Sequence, residues 1–197
     1  MSRYDADDVY CIPGTAVLKN KAGITDPNLL DEFEGDFTAI RILELTQNPI
    51  PGQFDLTHLC AIHAYLFQDI YDWAGEIRRV DISRSGSRFC NVRQIRSYSN
   101  ALFSALKAEK YLVGMEVREI SGRLAHYLSE INAIHPFREG NGRVQRFFIS
   151  QLADQAGYFL DYSALDQATI YAVMQTSFSG DESPLADLIL KIIQSGL

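Results

Sequence analysis

The sequence has few of the residues from which disulfide scaffolds and metal clusters are built. Its three cysteines, Cys11, Cys60 and Cys90, are odd in number and widely spaced. This argues against a disulfide framework and against a zinc site. No apolar segment approaches the roughly 18 residues of a membrane span, and residues 1–10 lack the apolar run of a signal peptide. We therefore expect a cytoplasmic protein with reduced thiols and no membrane association.

The sequence also has fewer basic than acidic residues. Lys and Arg number 18 against 25 Asp and Glu, which gives a net charge of −7 and a pI near 5.0. Because general nucleic-acid binding depends on neutralising phosphates, no direct nucleic-acid partner is expected. A local basic pocket is still compatible with this balance. Hydrophobic residues make up 47% of the 197 positions, enough for the core of one domain.

What the chain does contain is helical periodicity. Residues 1–25 are polar and broken by Pro and Gly, and are interpreted as an irregular N-terminal arm before a single domain over 26–197. An apolar stripe in the first helix is predicted to be buried: Leu30, Phe33, Phe37, Ile40 and Leu43. Helices are predicted at about 26–45, 55–70, 93–110, 115–133, 141–156, 163–177 and from 184 onward.

One segment breaks the helical pattern. Residues 79–92 contain two short extended pieces around the turn Ser85-Gly86-Ser87, which predicts a β-hairpin. A lone hairpin is rarely stable in water, so it should pack on the helices or bind a ligand. The predicted fold class is mainly α with a single β-hairpin.

Residues 135–146 carry the most chemistry. Pro136 disfavours helical geometry at His135, so the preceding helix should end there. The run Gly140-Asn141-Gly142 permits unusual backbone angles, and successive N–H groups can then form a concave anion cradle. A helix begins beside it, and the unpaired N–H groups of its first turn point the same way.

Two arginines lie on the first turns of that helix. Arg143 and Arg146 share a face and repel the helix dipole, which becomes favourable if a polyphosphate binds. Glu139 beside such a cradle is explained if Mg²⁺ bridges carboxylate and phosphate. His135 supplies a titratable base. Base, metal ligand and phosphate cradle together indicate phosphoryl or nucleotidyl transfer.

This stretch resembles the signature of the Fic family of protein adenylyltransferases, HPFx(D/E)GNGRxxR, and every defined position is filled. Residues 73–78 and 80–83 look like the family's flap hairpin, and residues 18–21 resemble the arm of bacterial Fic proteins. The likeness covers roughly residues 15–195. It implies a Fic-type helical bundle with the hairpin as a flap over the active site.

The resemblance implies a role for each motif residue, with ATP as co-substrate and Mg²⁺ as cofactor. His135 would be the general base for a target hydroxyl, Phe137 would anchor the loop, and Glu139 would hold the metal. The remaining positions would bind the ATP phosphates: Gly140, Asn141, Gly142, Arg143 and Arg146.

It also implies how a target would bind. The flap, residues 79–92, would hold a target segment by strand addition through Val80, Asp81, Ile82 and Ser83. Tyr171, on a later helix, lies about where related proteins contact adenine. A purely structural tyrosine explains that position equally well.

Gly142 favours one reaction over another. Doc-type kinases of the same superfamily have Lys at this position, so Gly favours transfer of AMP. Transfer of phosphate, UMP or GMP, and a non-catalytic nucleotide-binding module, are the alternatives. A metal hydrolase lacks a ligand cluster, because His58, His63 and His126 have no clear coordinating set.

Many Fic proteins carry an inhibitory helix with the pattern (S/T)xxxE(G/N). Glu precedes Gly or Asn only at Glu34 and Glu139, and neither has Ser or Thr four residues earlier. The protein is therefore expected to be either constitutively active or, like the bacterial class I Fic toxins that it resembles, blocked by a separate small antitoxin that supplies an inhibitory Glu against Arg146. In that group the expected targets are type II topoisomerase subunits, of DNA gyrase or topoisomerase IV, modified on Tyr in the bacterial cytoplasm.

Overall fold

The structure is a computed structural model that describes residues 9–84 and 87–196. Its helices are α1 (Pro27–Gln47), α2 (Leu56–Phe67), α3 (Ile95–Ala108), α4 (Val117–Ile134), α5 (Asn141–Gln155), α6 (Gln167–Phe178) and α7 (Ser183–Ile192). Its strands are β1 (Ser83–Arg84), β2 (Ser87–Arg88), β3 (Tyr158–Leu160) and β4 (Ile193–Ser195). Short 3₁₀ helices cover Lys110–Leu112 and Tyr162–Ala164. The predicted mainly helical fold is confirmed.

Aspartate side chains start several of these helices. Asp26 accepts the N–H groups of Asn28 and Leu29, both at 2.9 Å, and Asp55 accepts that of His58 at 2.8 Å. Such caps satisfy backbone donors that have no partner inside the helix. The helix predicted from 163 begins instead at Gln167, with Asp166 as its N-cap, because a 3₁₀ turn occupies the preceding residues.

Helix α4 is central to the core. It packs on α5, α6 and α7, while α2 packs on α5 and α1 packs on α2. The side chains that α4 contributes to the core are almost fully buried: Ile120, Leu124, Ala125, Tyr127, Leu128 and Ile131. Consequently the end of α4 and the start of α5, which bracket the motif, are both held by the core.

The orientation predicted for α1 is partly wrong. Leu30 is buried, but Ile40 and Leu43 are 56% and 62% exposed. The inward face carries Glu34 and Thr38 instead, at 2% and 1% exposure. The helix turns these polar residues inward because they have a partner in the motif, described below, and the apolar stripe therefore faces partly outward.

The β-structure differs from prediction in extent. Strands β1 and β2 pair antiparallel with Ser83 opposite Arg88, and the predicted turn at Ser85-Gly86 lies outside the described residues. A second antiparallel sheet, β3 with β4, joins the segment after α5 to the C-terminal end. Sequence analysis missed it because three-residue strands show too little alternation to be recognised.

The N-terminal arm is irregular, as predicted, but it is packed. Tyr10, Val17 and Leu18 are buried, and the Lys21 N–H donates to the Ile70 carbonyl at 2.9 Å. The division at residue 25 stays a prediction. None of the helices within the described ranges combines the length and apolar character needed to cross a bilayer.

Candidate active site

His135 stands at the junction between α4 and the motif loop. Its backbone is left-handed, with φ 48° and ψ 62°, and its N–H donates to the Ile131 carbonyl at 2.9 Å. A non-glycine residue in this region is strained and is found most often at functional sites. Pro136 prevents the helix from continuing. The chain therefore leaves α4 sharply and turns the imidazole toward a cavity.

Hydrogen bonding and burial define the state of this imidazole. Nδ1 lies 2.9 Å from the Asn132 carbonyl, which only accepts, so Nδ1 carries the proton and Nε2 keeps its lone pair. Burial, together with the positive charges of Arg78 and Arg84, lowers the pKa of His135 to about 3. The ring also stacks on Phe89, with centroids 3.8 Å apart. His135 is therefore a neutral base whose acceptor is Nε2.

The loop after His135 is clamped from within. The Asn141 amide accepts the Phe137 N–H at 3.0 Å and donates to the Phe137 carbonyl at 2.8 Å. Asn141 is 1% exposed, so its side chain shapes the loop and does not face the cavity. Phe137 is buried and its ring centroid lies 4.0 Å from that of His63. Its anchoring role stays a prediction.

His63 is a residue that sequence reasoning missed. Its ring is completely buried between Phe67 and Phe137. Nδ1 accepts the Gly75 N–H at 2.7 Å, so Nε2 donates to the Glu139 carbonyl at 3.1 Å. Burial lowers its pKa to about 3. A neutral imidazole thus ties the motif loop to the segment that leads into the flap.

Gly140 and the start of α5 occupy the position of the predicted anion cradle, which stays a prediction. Gly140 has φ 78° and is the residue preceding α5, and its N–H donates to the Glu139 carboxylate at 2.9 Å. The first N–H groups of α5 have no partner within the helix and lie at the positive end of its dipole. Glu139, Gly140 and Gly142 all line the cavity.

Arg143 has a partner that sequence analysis did not foresee. Its guanidinium pairs with the buried Glu34 carboxylate, donates to the Thr38 hydroxyl at 3.1 Å and lies 4.8 Å from the Phe67 ring centroid. The Tyr71 hydroxyl donates to the same carboxylate. Glu34, on α1, lacks the inhibitory sequence pattern, yet its carboxylate binds an arginine of the motif.

Arg146 differs from Arg143. Within the part of the chain that the structure describes it makes no ion pair, and burial lowers its pKa. A half-buried guanidinium on a cavity wall with no carboxylate beside it favours an anionic ligand. The two motif arginines are therefore not equivalent before a ligand binds.

These groups converge on one cavity of about 610 Å³. Of the predicted site residues, seven line it: His135, Glu139, Gly140, Gly142, Arg143, Arg146 and Tyr171. Tyr171 lies on α6, and the Arg84 guanidinium of the flap lies 4.9 Å from its ring centroid. The flap and α6 therefore meet at the wall of the cavity. The assignment of Tyr171 to adenine stays a prediction.

The predicted target-docking residues of the flap lie beside the cavity and do not line it. Ile82 is buried. The Asp81 carboxylate accepts Asn91 Nδ2 and the Val92 N–H, both at 2.7 Å, and so joins the two legs of the flap. Ser83 begins β1. Docking of a target through this segment stays a prediction. The backbone N–H and C=O groups at the edge of the flap would make the contacts.

A sequence model of the Fic/DOC family matches residues 53–153, which include the whole motif. The chain belongs to the Fic/DOC family. It is 43% identical to y4lH of Sinorhizobium fredii, named a probable protein adenylyltransferase, over 98% of this chain and 100% of y4lH. It is 40% identical to the protein adenylyltransferase VbhT of Bartonella schoenbuchensis over 96% of this chain, although it spans only 40% of VbhT.

Solved Fic structures share the architecture. BepC of Bartonella tribocorum, crystallised with bound AMPPNP, superposes with a TM-score of 0.89 at 28% identity. The match covers 95% of this chain and 97% of BepC. The predicted Fic-type bundle with its hairpin is therefore confirmed.

The residues of this Fic site suit the binding of Mg²⁺. Glu139 offers hard carboxylate oxygens on the cavity wall next to the phosphate cradle, and Mg²⁺ in nucleotide sites takes one or two carboxylates together with phosphates and water. By contrast, the three potential ligands His126, Glu130 and Glu182 converge within 4.8 Å outside this cavity. The prediction that His126 lacks such neighbours was wrong, but the cluster does not place a metal hydrolase in the Fic site.

Proposed function

We propose that this protein is a protein adenylyltransferase that transfers AMP from ATP to a hydroxyl group, with tyrosine as the expected acceptor. One observation carries the proposal: His135, whose Nε2 keeps its lone pair, and the start of α5 line the same cavity. In-line attack on phosphorus needs at least a base and, beside it, a site that binds the polyphosphate. The names of the relatives support the choice of AMP as the transferred group.

The reaction balances with the groups present. The target oxygen attacks the α-phosphorus, and His135 Nε2 takes the hydroxyl proton. The bond between the α-phosphorus and the bridging oxygen breaks, and pyrophosphate leaves with the electron pair. Arg146, Arg143 and the first N–H groups of α5 stabilise the charge that develops on the leaving group. Mg²⁺ held by Glu139 would neutralise further phosphate charge.

Transfer of phosphate or of another nucleotide is the main competing reaction. Gly142 lines the cavity, and a Cβ built there lies 3.3 Å from Arg146 Nη1. A lysine at this position would therefore crowd Arg146 and change how phosphates sit. The glycine supports the orientation in which the α-phosphorus faces His135.

A labelling experiment tests the proposal. Relative to the same lysate without the protein, we expect a bacterial lysate incubated with the protein and Mg²⁺ to acquire additional label from [α-³²P]ATP and none from [γ-³²P]ATP. Mass spectrometry of the labelled proteins should show an added AMP and identify the modified residue. Label from the γ-position would establish phosphate transfer instead. Binding of ATP with no label from either position would support the non-catalytic module.

The flap is proposed to present the target segment. Strands β1 and β2 form a two-stranded ribbon, and such a ribbon can pair with an extended peptide at an open edge. Phe89, next to β2, lies against His135, and this contact supports docking at that edge. Subunits of type II topoisomerases, DNA gyrase or topoisomerase IV, are the proposed targets, in a bacterial cytoplasm.

We further propose that a small antitoxin regulates this site by placing a glutamate against Arg146. Two features of the structure support it. Arg146 has no carboxylate partner within the described ranges. In addition, α1 exposes an apolar stripe that includes Leu29, Ile40 and Leu43, each more than half exposed. An exposed apolar stripe of this kind suits a partner helix.

Variants on the stripe test this partnership. With the neighbouring small gene product co-expressed, we expect Ile40→Asp and Leu43→Asp to release the partner and restore AMP labelling. Both should label normally when expressed alone, because neither residue lines the cavity. Val113→Asp, at a 53% exposed valine away from α1, is the control and should keep the complex. Absence of any complex with the wild type would contradict the antitoxin proposal.

A further inference from the structure

Arg78 is a buried cation that the reaction described above does not use. Its side chain is fully buried, and it lies just before the flap, where the chain passes the end of α4. Its own N–H donates to the Pro136 carbonyl at 2.9 Å. On the other leg of the flap, the Cys90 N–H donates to the Ala133 carbonyl at 3.0 Å. Both legs are therefore attached to the backbone around His135.

The guanidinium of Arg78 fills the space between these attachments. Nε donates to the His135 carbonyl at 2.8 Å, and Nη1 donates to the Val80 carbonyl at 2.8 Å. Nη2 donates to the Cys90 carbonyl and, at 3.4 Å, to the Ile134 carbonyl. One side chain thus joins the first leg of the flap, the second leg and the end of α4.

Arginine suits this position for two physical reasons. Burial disfavours the cation and lowers its pKa, but the carbonyls at the end of α4 form the negative end of the helix dipole. Asp81 adds a carboxylate at 3.6 Å. The guanidinium also presents five donors in a fixed plane, whereas lysine offers one compact ammonium group. Only the arginine can reach carbonyls in several directions at once.

The position of Arg78 bears directly on the base. His135 adopts a left-handed backbone, a conformation that surrounding contacts must maintain. The bond from Arg78 Nε fixes its carbonyl, and the bond from Nη2 fixes Cys90, next to the Phe89 ring that stacks on His135. A shift of either leg of the flap would therefore change the position of the His135 imidazole relative to the rest of the flap.

We propose that Arg78 is a positioning residue that holds the flap and His135 as one unit, so that a hydroxyl presented by the flap meets Nε2. The proposal rests on the proposed AMP transfer, and it goes beyond it by naming a residue that touches no substrate. Arg78 does not line the cavity. Its effect should therefore appear in the transfer step and not in the affinity for nucleotide.

Arg78→Lys tests the proposal. At saturating ATP and Mg²⁺ we expect labelling of lysate proteins from [α-³²P]ATP to slow by about 10²-fold, as small misplacements of catalytic groups do. The Kd for AMPPNP, measured by calorimetry, should stay unchanged. Hydrogen exchange at the Cys90 amide should accelerate, which reports the loosened leg without depending on activity.

Arg123→Lys is the matched control. Arg123 lies on α4 and forms a bidentate pair with Glu109, at 2.7 and 2.6 Å, so its replacement weakens the fold without touching the flap. It should lower the melting temperature and leave labelling and Cys90 exchange unchanged. If Arg78→Lys labels at the wild-type rate, or loses AMPPNP affinity in parallel with labelling, the positioning role is wrong.

A second variant covers the case in which Arg78→Lys does not fold. Asp81 is largely exposed but joins the two legs, so Asp81→Asn should fold, slow labelling and accelerate exchange at Cys90. Unchanged exchange at Cys90 would overturn the proposal even if labelling fell, because a docking role alone would give that result. Absence of label from the wild type would refute AMP transfer itself, and the exchange measurement would still decide the coupling.

Discussion

Replacement of His135 by alanine should slow AMP transfer by about 10²–10⁴-fold, the usual contribution of a general base. The acceptor nitrogen of this imidazole is oriented by a bond from the other ring nitrogen to the Asn132 carbonyl. Alanine removes the proton acceptor and leaves the phosphate cradle in place. The rate of labelling from [α-³²P]ATP at saturating ATP measures the effect.

Two further measurements make this result specific. The Kd of His135→Ala for AMPPNP should match that of the wild type, because the cradle is formed by the start of α5. His126→Ala removes a histidine from the same helix, where it pairs with Glu182 at 3.3 Å, and should label at the wild-type rate. If His135→Ala labels as fast as His126→Ala, His135 is not the base.

Replacement of Gly140 by alanine should destabilise the fold and prevent nucleotide binding. Gly140 has φ 78°, where a side chain costs about 1–2 kcal/mol. A Cβ there would also lie 2.1 Å from Phe67 Cζ, and overpacking of this kind costs about 1–3 kcal/mol. The loop can escape the clash only by moving away from the ring, which displaces the cradle. Urea unfolding and calorimetry with AMPPNP measure the two effects.

Two other glycines separate the causes. Gly157 has φ 89° with open space around it, so Gly157→Ala should show the backbone cost alone. Gly122 lies inside α4 with open space, so Gly122→Ala should stabilise by about 0.5–1 kcal/mol. Both should bind AMPPNP normally. Wild-type affinity in Gly140→Ala would mean that the cradle does not depend on its contact with Phe67.

Short-range patterns revealed much of this molecule. Helix α4, the break at Pro136 and the start of α5 follow from periodicity and from one proline. The roles proposed for His135 and Glu139 come from a contiguous motif, because local sequence places these residues together. Helix α1 was also found, but which of its faces is buried was not, because Ile40 and Leu43 have the same spacing as core residues.

Long-range partners could not be predicted. Glu34 and Arg143 lie 109 residues apart in the chain, and Arg78 and His135 lie 57 apart. A glutamate inside an amphipathic helix normally indicates a solvated face. The local sequence pattern therefore did not predict that the Glu34 carboxylate is buried. His63 was missed for the same reason, since its partners are backbone groups on distant segments.

The attachment of the flap has a consequence for how such enzymes diverge. The contacts of Arg78 and Cys90 that hold the legs end on main-chain carbonyls, which every amino acid supplies. Side chains on β1 and β2 can therefore be exchanged by mutation without disturbing the geometry of the base. If the flap docks targets as proposed, chemistry and target choice are separate heritable traits, and a lineage can acquire a new substrate by changes confined to the side chains of β1 and β2.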